Sequence, residues 1–468
     1  MRGSPWRWSI PGKPGSGSRK RRAYDMDKTR AGTLAGTFES GAHLGGLLLV
    51  GIMTSLGIVW LIAHMGMFGQ NIPQPNIVSD YVRGWIWALV LTAILCVLPL
   101  ADGGPLLHVW LVKIAVDLGV MLVYEWHYGL DAYWYFWWGV WGQHGSLLPV
   151  LGNGTETMLR LSALVAYVTG PSYHAMKIVY SFVGLWGCFC FYRAACHYLG
   201  SRKTFLLYIA GLTPSVLFWS SILGKDPVIF LGAGLYALGA VGWLRTNRTR
   251  YGFILACGVL IAIFVREWYG VIMIAPLLFV IVPRLRHPVQ RILSVAGGLA
   301  GLVYAFSLFQ QQFLTEGVSS VLPEANATLS ALAYGGSGQN FQGFHSFSSM
   351  ILFWPWGVFT AVFRPLPWDI HNAFIALSAL EGTALLLLVV SAARYWSFWR
   401  LRDPVMFWAL AYLLCWASLY GFGAYSNLGM AVRERLEVMP IIVLLALLFG
   451  TRRGRRYLDN SPARGFPS

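Results

Sequence analysis

Long apolar runs alternate with short polar segments along most of this chain. A helix that crosses a bilayer core needs roughly 20 mostly apolar residues. On that measure the pattern predicts about twelve spans, at 43–64, 83–100, 105–124, 173–195, 204–222, 227–244, 251–265, 268–283, 292–312, 372–393, 404–421 and 436–450. Residues 251–283 read either as two short helices meeting at ArgGluTrp (266–268) or as one long broken helix. The run MILFWPWGVFTAVF (350–363) is short and carries Pro355, which places it as an interfacial or re-entrant segment. The expected fold is therefore all-α, a polytopic membrane protein with external interfacial segments. No internal repeat is visible.

Composition agrees with the pattern. Of 468 residues, 56% are hydrophobic and 12% charged, with a mean hydropathy of +0.57. Soluble proteins carry about twice that charged fraction. The six cysteines all fall inside apolar runs and read as small core residues, neither disulfide partners nor zinc ligands. A net charge of +16 would suggest a nucleic-acid partner in a soluble chain. Here its distribution follows the positive-inside rule. With residues 1–42 placed inside, the segments 1–42, 193–203, 245–250, 284–291, 394–402 and 451–468 hold 26 of the 35 Lys and Arg residues. The two ends then read as basic cytoplasmic tails, able to touch anionic lipid, around a membrane domain at 43–450. Two external loops are long, 125–172 and 313–371. The second contains GGSGQNFQGFHSFSS (335–349), read as a mobile Gly/Ser loop of the kind that covers binding sites.

The exceptions to the charge rule carry the candidate chemistry. Eight basic residues fall on the external side: Arg83, Arg160, Lys177, Lys225, Arg266, Arg364, Arg433 and Arg435. Arg83 and Lys177 read as side chains snorkelling at span ends, and Arg160 as surface. The other five lie in polar motifs: GlyLysAspPro (224–227), ArgGluTrpTyr (266–269), ArgProLeuProTrpAsp (364–369) and ArgGluArg (433–435). Together these could surround an anionic group at the lipid–water boundary, with Arg gripping phosphate through its fork and Lys as a point charge. The alternative is internal pairing. Sequence neighbours such as Lys225 and Asp226, Arg266 and Glu267, or Arg433 and Glu434 do not face each other on a helix, so any partners must come from elsewhere.

Acids accompany them. The stretch YEWHYGLDAYWYFWWG (124–139) sets Glu125, His127 and Asp131 among nine aromatic residues, at the external end of the third span. Aromatics there are the expected interface belt. Gly129 should break the helix between the two acids. Asp131, with Tyr133 and Tyr135 after it, is placed to meet both a lipid headgroup and the membrane surface, as a general base for an acceptor hydroxyl would be. Asp117 and Glu381 fall within spans, where an acid is a functional candidate by default; Glu381 reads equally well as a buried hydrogen bonder. No metal-ligand spacing occurs; a divalent ion could be held only where His127 lies near Glu125 and Asp131. No cofactor motif, P-loop or GxSxG is present. GlyAsnGlyThr (152–155) reads as a tight turn, and AsnGlyThr (153–155) and AsnAlaThr (326–328) match the glycosylation sequon.

An acidic motif in a large external loop, followed by the amphipathic run ThrGluThrMetLeuArgLeuSerAlaLeu (155–164), resembles the GT-C class of polytopic glycosyltransferases, which use polyprenyl-phosphate sugars. The segments ProSerValLeuPheTrpSerSerIleLeuGlyLysAspPro (214–227), PheArgProLeuProTrpAsp (363–369) and SerAsnLeuGlyMetAlaValArgGluArg (426–435) resemble stretches of bacterial cell-envelope proteins of surface-polysaccharide pathways. The resemblance implies an inverting transferase in the plasma membrane with its site outside the cell. It makes Asp131 the base and Glu125 the fallback, and assigns Lys225, Arg266, Arg364, Arg433 and Arg435 to the lipid phosphate. The substrate would be a lipid-linked sugar, with no nucleic acid involved. A polysaccharide polymerase or ligase, or a lipid or saccharide transporter, are the alternatives. The chain departs from the family in one respect: its acidic loop follows the third span, not the first.

Overall fold

A computed structural model of the chain describes residues 48–143, 146–282, 287–313, 321–333, 337–395 and 398–450. The two basic tails, 1–42 and 451–468, lie outside the described residues. The chain divides into two units, Met1–His64 and Met65–Ser468. In the first, the described residues belong to helix α1 (Leu48–Phe68), whose side chains from Leu48 to Trp60 are largely exposed.

The second unit is a helical bundle. Its first half comprises α2 (Ile77–Val97), α3 (Gly103–Ala115), α4 (Met121–His127), α5 (Asp131–Trp141), α6 (Gly154–Thr169), α7 (Tyr173–Leu199), α8 (Phe205–Leu212), α9 (Pro214–Trp219) and α10 (Lys225–Thr246). A five-residue π-helical segment, Val116–Val120, joins α3 to α4. The second half comprises α11 (Thr249–Val265), α12 (Glu267–Ile281), α13 (Pro288–Phe313), α14 (Val321–Leu332), α15 (Phe347–Phe363), α16 (Ala373–Ala393), α17 (Pro404–Ser426), α18 (Leu428–Arg435) and α19 (Met439–Gly450). No strand occurs among the described residues, only one bridge between Gly338 and Asn427. Among the described residues, seven helices are long and apolar enough to cross a membrane, and shorter apolar ones accompany them. The protein is an all-α polytopic membrane protein.

The helix boundaries follow local chemistry. Asn76, Asn153, Ser172, Asn372, Asp403 and Asn427 cap helix starts by accepting backbone N–H bonds. Pro214 and Pro404 occupy first-turn positions, where a missing N–H costs nothing. Gly200 ends α7 in the left-handed conformation. The predicted span 204–222 is instead two short helices broken at Thr213, and 251–283 is two helices broken at Arg266. The run around Pro355 is a 17-residue helix, α15.

Packing centres on α10, flanked by α7 and α11, with α15 on α17 and α16 on α19. Small residues let the backbones approach: a Cβ on Gly234 would lie 2.7 Å from the Gly187 carbonyl oxygen, and one on Gly421 only 2.7 Å from the Gly357 carbonyl carbon. Lipid offers helices no hydrophobic reason to associate, so close approach of this kind is a main source of cohesion.

Candidate functional site

The site is assembled where helices break. Arg266, in extended conformation between α11 and α12, turns its guanidinium inward to three acids. It lies 3.0 Å from Glu434, 3.1 Å from Glu437 and 3.5 Å from Asp226, and also donates to the Tyr420 hydroxyl. Trp416 donates to the other oxygen of Glu437. Asp226, in the first turn of α10, is shared: its second oxygen accepts from Arg433 Nε at 2.7 Å. Arg433 reaches out in turn to Asp131 at the start of α5, Nη1 to Oδ2 at 3.3 Å, and its guanidinium lies over the Trp219 ring. Lys225, half-buried, gives a 3.1 Å hydrogen bond to Thr155 on α6. The start of α6 is held close because Gly154 sits on the Val265 carbonyl with no room for a Cβ.

Exposure grades this chain of charges. Asp226, Arg266, Glu434 and Glu437 are buried, the Arg433 side chain is 25% exposed and that of Asp131 65%. The inner part is therefore a fixed ion-pair lattice, and its outer edge carries one accessible carboxylate and two accessible cations. Burial pushes the Glu434 carboxyl up to about 7, against the pull of Arg266 and Arg433. Glu267 opens α12 half-buried beside Arg266 and outside the lattice.

A second polar group adjoins it. Arg364 forms a two-pronged pair with Asp369, at 3.0 Å and 2.6 Å, and contacts Gln339. Burial alone would raise the Asp369 carboxyl, but the Arg364 guanidinium and the Leu366 amide hold it below the ordinary carboxylate range. Arg435, buried, donates to the Val362 and Arg364 carbonyl oxygens and so ties α18 to the end of α15. Gln339 belongs to the Gly/Ser loop expected to be mobile. Its described part is instead fastened, with Gln339 N–H on the Ser426 carbonyl and Leu428 N–H on that of Ser337.

The internal-pairing alternative thus describes Arg266 and Arg433, with partners distant in sequence, and Arg364, with Asp369 of its own motif. Arg266 and Arg435 are buried on their partners, whereas Lys225 and Arg433 keep part of their side chains exposed. Other expectations change more. Glu125 is wholly buried, binding Lys177 Nζ at 2.9 Å through both oxygens and accepting from Tyr173. Lys177 does not snorkel: it is also buried, 3.5 Å from Asp117. Tyr133 donates to the Glu125 carbonyl, and Tyr135 is buried on the inner face of α5. His127 is exposed and bonded to the Val123 carbonyl, so it, Glu125 and Asp131 face three different partners and form no ion site. Glu381 accepts from the Ser215 amide and hydroxyl, a structural cap on α9. The sequon residues are also structural: Asn153 caps α6, and the Asn326 side chain pairs with both backbone groups of Phe344. Glu437 was not visible as a site residue, because it lies at the edge of an apolar run; Lys113, on Ser220 and Ser221, is a further buried charge.

An exposed aromatic face borders the site. On α5, Trp134, Trp137, Trp138 and Trp141 recur at i, i+3, i+4, i+7 and are 46–59% exposed, while Ala132, Tyr135, Phe136 and Gly139 pack inward. Asp131 stands at the foot of this outward tryptophan face. No family model, curated protein or solved structure matches the chain.

Proposed function

We propose that the protein transfers a sugar from a polyprenyl-phosphate carrier to a cell-envelope acceptor, at the extracytoplasmic face of a bacterial plasma membrane. The observation that carries this reading is the exposed Asp131 carboxylate on Arg433, at the foot of a tryptophan-faced helix suited to the bilayer interface. In the unliganded site Arg433 is shared between Asp226 and Asp131. An arriving lipid phosphate takes the Nη1 side of Arg433, with Lys225 as a second point charge, while Asp226 keeps the guanidinium aimed. Asp131 is thereby released as base. It accepts the proton of the acceptor hydroxyl, whose oxygen bonds to the sugar's anomeric carbon as the bond to phosphate breaks. The lipid phosphate leaves with the electron pair, and the configuration inverts. Preorganised cations at the departing phosphate are the largest service the site renders.

Release of polyprenyl phosphate from a lipid-linked sugar, with candidate acceptors present, tests this directly. Asp131→Asn should abolish turnover, and Arg433→Ala should weaken donor binding. Full turnover by Asp131→Asn would end the general-base role, and unchanged donor affinity in Arg433→Ala the phosphate role.

A second reading, a lipid or saccharide transporter, is favoured by the wholly buried Lys113, Asp117, Glu125 and Lys177 and by the helix breaks at Arg266 and Asn427. Movement of labelled lipid between leaflets of reconstituted vesicles, without sugar release, would select it.

A further inference from the structure

The proposed transfer leaves one group of buried charges unused. The span Gly103–His127, formed by α3, the π-helical segment and α4, carries Asp117 near its middle. Asp117 is wholly buried, and neither of its carboxylate oxygens has a hydrogen-bond partner. The Lys177 ammonium on α7 lies 3.5 Å from its Oδ1. That ammonium is already taken. Glu125 holds it at 2.9 Å through each oxygen and accepts a further bond from the Tyr173 hydroxyl at 2.8 Å. The other buried ammonium, Lys113, spends its three N–H donors on the Ser220 carbonyl, the Ser220 hydroxyl and the Ser221 hydroxyl, at 3.0, 2.6 and 2.9 Å. On α2, Asp80 is paired with His174 of α7, and the Tyr81 hydroxyl donates to the Leu118 carbonyl. Helix α9, which also packs on the π-helical segment, carries no titratable side chain. The Ser181 hydroxyl of α7 lies beside Asp117, outside hydrogen-bonding geometry, and is likewise buried without a partner.

We propose that Asp117 is a proton-binding site within the membrane domain, taking one proton from water, with the Lys177–Glu125 pair as its fixed neighbour. Two carboxylates face one ammonium here, and Glu125 has the larger share of it. An ionised Asp117 would be a buried charge with no hydrogen bond, a state that groups in apolar surroundings leave by neutralising. A proton removes the charge and turns one oxygen into a donor, for which the Ser181 hydroxyl is the acceptor at hand. A metal ion in the same place would set a second positive charge beside Lys177, so the proton is the ligand selected. Acids within spans serve as proton relays in pumps and transporters, and π-helical turns recur at functional sites. Because Lys177 is within reach of both acids, proton and ion pair are coupled: whatever frees Lys177 from Glu125 lets it turn to Asp117 and expel the proton. The site is independent of the transferase reading.

The test is infrared spectroscopy of the purified full chain in lipid, produced with isotope-labelled aspartate. Exposed carboxyls are ionised at neutral pH, so a protonated-carboxyl C=O stretch that moves with the label reports a buried aspartic acid. Such a band should be present and should vanish in Asp117→Asn. It should vanish also in Glu125→Gln, where Lys177 is free to turn to Asp117. The melting temperature of Asp117→Asn should stay near the parent's, since asparagine replaces a neutral acid. Absence of a label-sensitive band, or one that survives Asp117→Asn, overturns the proposal. Dicyclohexylcarbodiimide, which attaches to protonated carboxyls, gives a second measurement on the unaltered chain. An adduct mapped to Asp117 by mass spectrometry supports the site, and one on Glu125 alone overturns it.

Discussion

The two ends of α10 use the same residue types in opposite ways. Lys225 and Arg245 stand twenty residues apart, ~30 Å along the helix, about the thickness of a bilayer core. At the Arg245 end the cations are exposed, with Asp403 as the nearby acid. At the Lys225 end, Arg266 is buried among Asp226, Glu434 and Glu437, while Arg433, Lys225 and Asp131 reach solvent. Hydrated charges can be replaced one at a time. Buried charges depend on each other, because removing one leaves its partner without compensation. A basic residue in this protein is therefore interpretable only with its partners.

The largest expected effect tests that contrast. Arg266→Met should cost ~3–5 kcal/mol, since it strands the buried Glu434 and Glu437 and leaves Asp226 with Arg433 alone. Thermal unfolding in detergent measures it, and a loss under about 1 kcal/mol would mean that the lattice is not mutually dependent. Next, Gly154→Ala drives a methyl into the Val265 carbonyl, a backbone atom with little freedom to yield. Overpacking of ~1–3 kcal/mol should follow, with Thr155 moved away from Lys225.

A smaller effect appears as pH dependence. Folding raises the Glu434 carboxyl from 4.5 to about 7 through burial. Between those values the folded chain holds a proton that the unfolded chain releases, so this contribution favours folding at the low end and is lost as pH rises through the window. Glu434→Gln, which cannot ionise, should flatten the melting temperature across that window. A profile as steep as the parent's would assign the slope to another group. The smallest change is at the opposite end: Lys203→Gln should alter stability by no more than ~0.5 kcal/mol. A larger loss there would erase the distinction between the two ends.

Several of these features were legible beforehand for identifiable reasons. The break at Arg266 showed because a polar ArgGlu pair interrupts an apolar run, and the Gly129 break between α4 and α5 showed because glycine weakens a helix at the polar end of a span. Lys177 was misread because, from sequence, a lysine near a span end looks the same whether it reaches water or a buried carboxylate. Glu125 was misplaced for the same reason. The break at Thr213 was hidden because both flanking halves are apolar.

Sequence alone determined the class of molecule, most of the long apolar helices and the set of polar motifs that carry the basic residues. Those properties depend on transfer free energy and local backbone chemistry, which act over a few turns. Tertiary structure decided which charges meet. Asp226 joins Arg266 and Arg433 across 40 and 207 positions, and Asp131 meets Arg433 across 302. A charge's role is set by the distance to its partner and by the water removed between them, and neither quantity is written in the order of the residues.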